Sequence, residues 1–478
     1  MPTARPASAP HLLASLLAGL LLGACNGTLY DAAGVPVVLP PGSGPTCEAP
    51  QHVCGGACVA QSVAACGASC DTCAATDPNA TAVCEPSLSG AYACGEVCQA
   101  GWFPCASGCC RATAVAAGDD HACAVTSDHG VLCWGKNDGG QLGPNAVGLL
   151  RSVRPVMVIS SGVTVVAAGG RHSCAVVGGT VLCWGANESG QLGDGATTAS
   201  STPVATSSDI TGATTLALGA SHSCAVVGSG AAAAVWCWGA NRLGQLGTGD
   251  LQPHAAPFPS LVNAGVTSLS AAGDDTCAVA GGQARCWGLD LEGQTGSRDS
   301  SVPRPPKATP QSVGISSSAL QVAVGRKHAC ATSSGGGSPL FCWGSGGEGE
   351  IGNGLLDTPV LSPLQASVID NGQRAAVFIT GEAFSCSAKI GEVSLTCNGR
   401  NDQAQCGVAP TGTPVIDRSG PSFGGPVLAA AAGRAFSCAL VDLAGQAVVM
   451  CWGANADGQL GRATPSSGPS QTPEMVGK

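Results

Sequence analysis

The sequence predicts an all-β protein, a seven-bladed β-propeller preceded by a small disulfide-rich module. Its 478 residues include 71 Gly, 31 Pro and 28 Cys but only 10% charged and 4% aromatic residues, which is typical of turn-rich β structure. A unit with two cysteines recurs seven times at intervals of 50 to 56 residues and contains about four short β-like segments, the pattern of a propeller blade. Twelve more cysteines crowd into the segment before the first unit, which is too short for a large core and depends on cross-links.

Residues 1–24 are predicted to be the signal peptide of a lipoprotein. The apolar run Leu12–Leu22 is too short to span a bilayer comfortably and has the layout of a secretory signal. The sequence Leu-Gly-Ala-Cys that ends at Cys25 resembles the lipobox of bacterial lipoproteins, which implies lipidation of Cys25; an ordinary signal peptide that contains a Cys is the alternative. An Asp directly after the lipidated Cys would resemble the signal that retains lipoproteins at the inner membrane. Because Asn26 stands there instead, we expect a lipid-anchored protein at the outer membrane or cell surface.

Residues 25–46 are predicted to be a Pro/Gly-rich tether, and residues 47–112 a disulfide-rich module. Outside the cytosol, dense cysteines indicate disulfides before zinc binding or catalysis. Six disulfides could form in the module, and their connectivity stays open because spacing does not determine it. The motif Cys70-Asp-Thr-Cys73 leaves a metal or redox site as the alternative. In its Cys density the module resembles the epidermal-growth-factor-like modules of surface proteins.

Residues 113–478 are predicted to form the propeller, one repeat for each blade. A representative unit, residues 167–195, reads AAGGRHSCAVVGGTVLCWGANESGQLGDG. It resembles the repeat of the regulator of chromosome condensation family, and this resemblance implies seven repeats that close into a seven-bladed ring. In that family apolar or small residues usually occupy the two Cys positions, so the paired cysteines are a departure of this chain.

The two cysteines of each unit are predicted to form a disulfide within the blade. In two units they enclose eight residues centred on Gly-Gly, as at Gly178-Gly179, which suits a two-residue primed turn. Counting back from this turn pairs Cys174 with Cys183 at a non-hydrogen-bonded site, where side chains are closest. The seven predicted pairs are Cys123–Cys133, Cys174–Cys183, Cys224–Cys237, Cys277–Cys286, Cys330–Cys342, Cys386–Cys397 and Cys438–Cys451. Cys406, which replaces Leu in the Gly-Gln-Leu-Gly motif, is left over and is predicted to be a buried, unreactive thiol.

Three further positions recur in the unit, and each allows two interpretations. The Trp after the second Cys is predicted to wedge between blades, the alternative being a ring that stacks on sugars. The Asn or Asp two residues after Trp-Gly is predicted to close a loop as an Asx turn, the alternative being a calcium ligand. The His two residues before the first Cys is predicted to be structural and not a metal ligand, because Phe replaces it in two units. The residues are Trp134, Trp184, Trp238, Trp287, Trp343 and Trp452; Asn137, Asn187, Asn241, Asp290, Asn401 and Asn455; and His121, His172, His222 and His328, with Phe384 and Phe436.

The sixth unit departs most from the repeat. Asn398 stands where the other units have Trp, and the following motif is reduced to Ala-Gln-Cys-Gly. This blade is therefore predicted to be the least regular.

No catalytic residue, metal site or cofactor is predicted. The segment 420–424, Gly-Pro-Ser-Phe-Gly, matches the nucleophile-elbow pattern, but it lies in a Pro/Gly-rich loop without the strand and helix that the elbow needs. The sequence contains no phosphate-binding loop and no His-Glu-x-x-His pattern. The net charge of −10 argues against a nucleic-acid partner.

The predicted function is that of a surface-anchored, non-enzymatic platform that binds a protein or glycan through propeller loops. Because repeated positions build the scaffold, the segments that differ between units are expected to bind the partner. Arg298, Arg304 and Lys307 form the only basic cluster in these segments and are the predicted contacts, the alternative being a solvated loop. The variable segments are 143–154, 247–260, 296–312 and 409–425.

Two other functions stay open. Enzyme inhibition is one, because the propeller is similar to a secreted β-lactamase inhibitory protein built from the same repeat; polysaccharide cleavage is the other. The nucleotide-exchange and chromatin roles of the family's founder are not expected, since export, acidity and disulfides point elsewhere.

The ring is predicted to close through the C-terminus. The chain ends with a copy of the Pro-Val segment, Thr472–Val476, and the first unit has no such segment before it. The terminal strand is therefore predicted to pair with the first blade and remove an open sheet edge.

Overall fold

Seven antiparallel sheets, one for each repeat, form a seven-bladed β-propeller in the computed structural model. Two compact units are distinguished, Met1–Val97 and Cys98–Lys478. The structure describes residues 29–30, 36–37, 51–54, 57–60, 74–86, 92–105, 108–207, 210–335, 339–356, 359–367, 375–389, 391–416, 420–462 and 468–477.

The first unit contains short antiparallel strand pairs. They are β1 (Leu29–Tyr30) with β2 (Pro36–Val37), β3 (Gln51–Cys54) with β4 (Ala57–Ala60), and β5 (Ala80–Pro86) with β6 (Tyr92–Cys98). Cys84 is disulfide-bonded. The predicted signal peptide, the lipidation site Cys25 and the motif at Cys70 lie outside the described residues. None of the helices in the described part of the chain is long and apolar enough to cross a membrane.

A two-stranded hairpin precedes the first blade, and blades 1 to 3 follow with four strands each. The hairpin is β7 (Phe103–Cys105) and β8 (Gly108–Cys110). Blade 1 is β9 (Ala112–Ala117), β10 (His121–Thr126), β11 (Val131–Lys136) and β12 (Arg151–Ile159). Blade 2 is β13 (Val163–Ala168), β14 (His172–Val177), β15 (Thr180–Gly185) and β16 (Ser200–Ala205). Blade 3 is β17 (Ala213–Leu218), β18 (His222–Val227), β19 (Ala234–Gly239) and β20 (His254–Pro259).

Blades 4, 5 and 7 also have four strands, and blade 6 has three in the described part of the chain. Blade 4 is β21 (Val266–Ala272), β22 (Asp275–Ala280), β23 (Gln283–Gly288) and β24 (Lys307–Ser312); blade 5 is β25 (Ala319–Val324), β26 (His328–Ser333), β27 (Leu340–Gly344) and β28 (Val360–Gln365). Blade 6 is β29 (Ala375–Thr380), β30 (Phe384–Lys389) and β31 (Thr396–Gly399); blade 7 is β32 (Val427–Ala432), β33 (Phe436–Leu443), β34 (Gln446–Gly453) and β35 (Ser470–Met475). Two single-turn 3-10 helices, Pro144–Ala146 and Gly230–Ala232, lie in loops.

The irregularity predicted for blade 6 is present. Where the fourth strand would pair, the described residues form only isolated bridges, between Gly399 and Val415 and between Ser394 and Ser422. Asn398 is fully buried at the Trp position and donates to the Val415 carbonyl oxygen at 3.3 Å.

The central hairpin of each blade has the register that the sequence predicts. Gly178 and Gly179 have φ of 58° and 84°, which L side chains rarely adopt, so glycine allows the tight turn. Cys174 then lies opposite Cys183 in β14 and β15. In all seven blades the structure joins the two cysteines in a disulfide, with Cα atoms 4.0 to 4.1 Å apart, the close approach of a non-hydrogen-bonded pair.

The repeated Trp side chains pack between blades, as predicted. All six are fully buried. Each indole N–H donates to a backbone carbonyl of the preceding blade, as Trp184 Nε1 does to the Gln141 oxygen at 2.8 Å. Trp134 of blade 1 makes the same bond to Gln459 of blade 7 at 3.0 Å, so this contact also closes the ring.

The predicted pairing of the C-terminal strand with blade 1 is wrong. β35 is the outer strand of blade 7 and pairs with β34, while blade 1 is completed by its own outer strand β12. The Pro-Val segment therefore ends its own unit and does not open the next one. This follows from the antiparallel order of the blade, in which the chain returns along the third strand before it reaches the next unit.

A non-repeated segment, residues 98–112, covers the seam between blades 7 and 1; we call it the strap. The disulfides Cys98–Cys109 and Cys105–Cys110 fix its hairpin. Phe103 is fully buried, 6.0 Å from the Trp134 ring between centroids, in a cluster that includes Val476. The Gly101 N–H donates to the Val476 carbonyl oxygen at 3.0 Å. The strap thereby links the C-terminus of blade 7 to blade 1.

Candidate interaction face

Two sets of loops meet on one face of the propeller, which we call the loop face. Because successive strands of a blade are antiparallel, the turn after its first strand and the loop after its third strand emerge at the same edge. The turns after the second strands and the connections between blades emerge at the other edge, the hairpin face. In blade 2 the loop face contains residues 169–171 and 186–199, and the hairpin face contains residues 178–179.

The repeated Asn, or Asp in blade 4, closes the loop after the third strand in six of the seven blades, and Gly346 stands at this position in blade 5. Asn187 Oδ1 accepts the N–H of Leu192 at 2.9 Å, and its Nδ2 donates to the Thr198 carbonyl oxygen at 3.0 Å. The bond spans five residues, not the two of the predicted Asx turn, but the loop-closing role is as expected. The same bond is made by Asn137, Asn241, Asp290, Asn401 and Asn455.

These loops contain no cluster suited to a cation in the part of the chain that the structure describes. One group of three potential ligands occurs there, Cys105, Cys110 and Asp128, and its two cysteines are joined in a disulfide.

The repeated His links neighbouring blades below the loop face. His172 Nε2 lies 2.8 Å from Ser223 Oγ of the next blade, and Ser223 donates to the Gln191 carbonyl oxygen at 2.8 Å. Since a carbonyl only accepts, the imidazole donates to the hydroxyl through Nε2. Trp238 donates to the same carbonyl at 2.9 Å. The structural interpretation of this position therefore holds.

Burial keeps these imidazoles neutral. Burial, together with a smaller effect of the neighbouring His121 and His222, lowers the pKa of His172 from 6.5 to about 3. Burial likewise lowers the pKa of His121 to about 4, and that of His222 and His328 to about 3. Nδ1 of each ring has no hydrogen-bond partner among the described residues, so a second ring proton would have no acceptor.

A central cavity of about 370 Å³ reaches the loop face through a charged rim. Its walls are the small and aliphatic residues of the first strands of all seven blades. Asp119, Arg326, Glu382 and Arg434 line the rim, each four residues before the first Cys of its unit. Arg326 Nη2 spans the opening to Asp119 Oδ2 at 2.6 Å.

The rim was missed at the sequence level. No single charge recurs at this position, which holds both signs in different units, and Gly or Ala in blades 2 to 4. Comparison of charges at one repeat position across all units would have found it. Burial alone lowers the pKa of the Arg326 guanidinium, yet the nearby carboxylates, Asp119 first among them, outweigh this and raise it, so the guanidinium stays charged.

A second cavity, of about 270 Å³, adjoins the rim between blades 6, 7 and 1. Glu382 and Arg434 border both cavities. The second cavity is also lined by Ala383 and Ala435, which lie three residues before the first Cys of their units, where three other units have Asp120, Arg171 and Lys327. The short side chains leave the space open.

Exposed aliphatic side chains are concentrated in the variable loops of the loop face. Val147 is 72% exposed, Leu150 78% and Val302 90%. Others in the corresponding loops are Leu149, Leu251, Leu291, Leu355, Leu356 and Ile416. Each of the four variable segments identified from the sequence contains at least one of these exposed aliphatic side chains.

The predicted basic contacts are mostly engaged within their own loop. Lys307 Nζ lies 2.6 Å from Asp299 Oδ2, and this hydrogen bond lowers the pKa of the Asp299 carboxyl. Arg304 Nε donates to the Asp299 carbonyl oxygen at 2.7 Å, and Arg298 Nη2 to that of Gly314 at 3.4 Å. The three side chains thus stabilise the loop, and their role in partner binding stays a prediction.

Two other predicted positions are not among the residues that line these cavities. Cys406 is fully buried in blade 6, with Sγ 3.5 Å from the Arg400 carbonyl oxygen. Ser422, of the nucleophile-elbow pattern, bridges to Ser394 and is followed by strand β32, not by a helix.

Comparison with known proteins identifies the repeat. The model of the regulator of chromosome condensation (RCC1) repeat matches residues 128–176, 178–226 and 233–280, and a second model of this repeat matches residues 112–141 and 213–245. The matched segments are RCC1 repeats. The ultraviolet-B receptor UVR8 of Arabidopsis thaliana is 30% identical over 260 residues, 51% of this chain. The alignment spans 55% of UVR8, about half of that relative.

Three solved structures share the fold. The crystal structure of Kap60 bound to yeast RCC1 (Prp20) matches with a TM-score of 0.62 and 20% identity, over 72% of this chain and 83% of that chain. Prp20p of Saccharomyces cerevisiae matches with a TM-score of 0.57 and 19% identity, over 68% of this chain and 81% of that chain. Human WBSCR16 matches with a TM-score of 0.56 and 20% identity, over 68% of this chain and 85% of that chain. At such identities the likeness establishes the propeller fold alone.

Proposed function

We propose that this chain is a lipid-anchored, non-enzymatic platform at the cell surface that binds a partner protein through the loop face. The observation that carries the proposal is the concentration of exposed aliphatic side chains, Val147, Leu150 and Val302 among them, on loops that differ between repeats. Exposed apolar side chains concentrated on one face favour a protein interface, whose centre is apolar and whose rim is polar.

The strap contacts the propeller away from the loop face. Ser127, in the second-to-third-strand turn of blade 1, donates to the Arg111 carbonyl oxygen, and the Arg111 side chain bonds Gln446 in the matching turn of blade 7. The strap therefore enters the propeller on the hairpin face.

The charged rim favours binding over acid–base catalysis. Asp119 pairs with Arg326, and Arg434 Nη2 pairs with Asp120 Oδ1 at 2.9 Å. Two carboxylates at and beside the rim are thus engaged in ion pairs with guanidinium groups, unlike the two carboxyl groups that flank the cleaved bond in glycoside hydrolysis. Among the similar proteins, UVR8 is a receptor, and the structure of Prp20p is reported together with its binding to Gsp1p and histones. These examples support the proposal only in that propellers of this kind present binding surfaces.

A capture experiment with matched variants tests the proposal. Immobilised residues 26–478 are incubated with envelope extracts and, in a second arm, with a glycan array. The double variant Leu150→Ser/Leu355→Ser on the loop face should lose the captured protein. Leu261→Ser, also exposed but in a connection between blades on the hairpin face, should retain it. Equal capture by the loop-face variant, or glycan binding without protein capture, would contradict the proposal.

A further inference from the structure

The cavity between blades 6, 7 and 1 is equivalent in the repeat to a site between blades 1 and 2 that Arg171 of blade 2 occupies. Asp402 follows Asn401 in blade 6, as Asp138 follows Asn137 in blade 1. Gln405 Nε2 donates to Asp402 Oδ1 at 3.1 Å, as Gln141 Nε2 does to Asp138 Oδ1 at 3.3 Å. The two carboxylates are therefore held by the same local structure.

The cation that faces the first of these carboxylates is Arg171. Its Nε lies 3.3 Å from Asp138 Oδ1, its Nη2 donates to the Asp138 carbonyl oxygen at 3.2 Å, and its Nη1 lies 3.4 Å from Glu188 Oε1. Burial alone raises the pKa of Asp138, but the Gln141 hydrogen bond and the charges of Arg171 and Lys136 outweigh it and lower the pKa.

In blade 7 the residue equivalent to Arg171 is Ala435. Both lie three residues before the first Cys, and the backbone agrees: Ala454 N–H donates to the Ala435 carbonyl oxygen at 2.9 Å, as Ala186 does to Arg171. No Lys, Arg or His nitrogen among the described residues lies within 4.0 Å of the Asp402 carboxylate. Arg400, the nearest candidate along the chain, pairs instead with Glu348 at 3.2 Å and Glu382 at 3.9 Å.

The cavity as a whole carries excess negative charge. Asp120, Glu382, Asp402 and Asp457 line it together with two arginines, Arg400 and Arg434. Its volume of about 270 Å³ accommodates one long side chain. The geometry points to this cavity as the site for an arginine side chain of the partner protein, with its guanidinium against Asp402 where Arg171 stands in blade 2. A planar guanidinium suits this place because it bonds a carboxylate and a carbonyl at once. The inference rests on the proposed function and specifies one contact of it.

The test uses two soluble probes, Nα-acetyl-L-arginine amide and its uncharged isostere Nα-acetyl-L-citrulline amide, titrated against residues 26–478 by ligand-observed NMR. We expect saturable binding of the arginine probe, in the range of millimolar Kd, and none of the citrulline probe. Ala435→Arg, which supplies the side chain from the chain itself, should abolish binding. Asp402→Asn should weaken it by about fivefold, as expected for a partly exposed ion pair.

Glu188→Gln is the matched control, because Glu188 occupies the same repeat position as Asp402 but already faces Arg171. It should bind the arginine probe like the unmodified chain. Equal binding of both probes, or unchanged binding by Asp402→Asn, would overturn the site even if Ala435→Arg failed to fold. If the probe binds but Ala435→Arg captures the partner protein undiminished, the partner does not use this site, while the proposed function stands.

Discussion

At the scale of the residue, the repeated Trp joins each blade to the one before it. Trp184 is fully buried and bonds Gln141, so Trp184→Ala removes a large side chain and an interblade hydrogen bond at once. We expect a loss of about 3–5 kcal/mol in the free energy of unfolding, measured with denaturant, and no loss of partner binding by the folded variant. Trp236→Ala, at a half-buried Trp, should cost less. Unchanged stability with lost binding would instead make the Trp ring a ligand site.

The buried His residues predict a loss of stability in acid. Because burial lowers the pKa of His172 from 6.5 to about 3, its contribution is complete above pH 6.5 and is lost as the pH falls toward 3. Over that window one such His reduces the free energy of unfolding by about 1.4 kcal/mol per pH unit. His172→Phe, which installs the residue found at Phe384 and Phe436, should flatten the pH dependence measured by urea unfolding at pH 4 to 7. An unchanged slope would contradict the neutral, buried imidazole.

At the scale of the element, the central hairpin and its disulfide form the most regular part of the fold. Replacing Cys174 and Cys183 together by Ala should lower the free energy of unfolding by about 2–3 kcal/mol, because the closed loop is short. Thermal unfolding with and without reductant measures this. The hairpin was predictable because its register depends only on a local turn, Gly178-Gly179, and on counting along two strands. Peptide mapping that found cysteines paired between different blades would refute this register.

The strap could not be predicted in the same way, because its contacts join residues far apart in sequence. Phe103 meets Trp134 and Val476 only once the ring is closed. Phe103→Ala should cost about 3–5 kcal/mol in the free energy of unfolding and favour opening at the seam, detected as dimers or aggregates by light scattering. Phe258→Ala is the control, since Phe258 is 41% exposed. A monomeric Phe103→Ala variant of unchanged stability would show that the Trp134 contact closes the ring alone.

At the scale of the whole molecule, the sequence-based prediction succeeded for features that recur across the repeats, including the Trp between blades, and failed for contacts that only particular blades make. The blade count and strand order within a blade follow from the repeat. Ring closure and the charged rim at Asp119 and Arg326 depend on which blades become neighbours across the axis, 207 residues apart in the chain. The cavity at Ala435 likewise depends on residues of three blades and on the short side chains that leave space between them. These short side chains stand out only when equivalent positions of the blades are compared in the structure.

Repeated residues build the ring, and we propose that the loop face binds the partner. Hydrogen exchange of residues 26–478, alone and in complex with the captured protein, tests this proposal most directly. We predict that binding slows amide exchange in the variable loops at 143–154 and 352–356 and leaves the second-to-third-strand turns, such as residues 178–179 and 281–282, unchanged. Protection confined to those turns on the hairpin face, with the variable loops unaffected, would contradict the account.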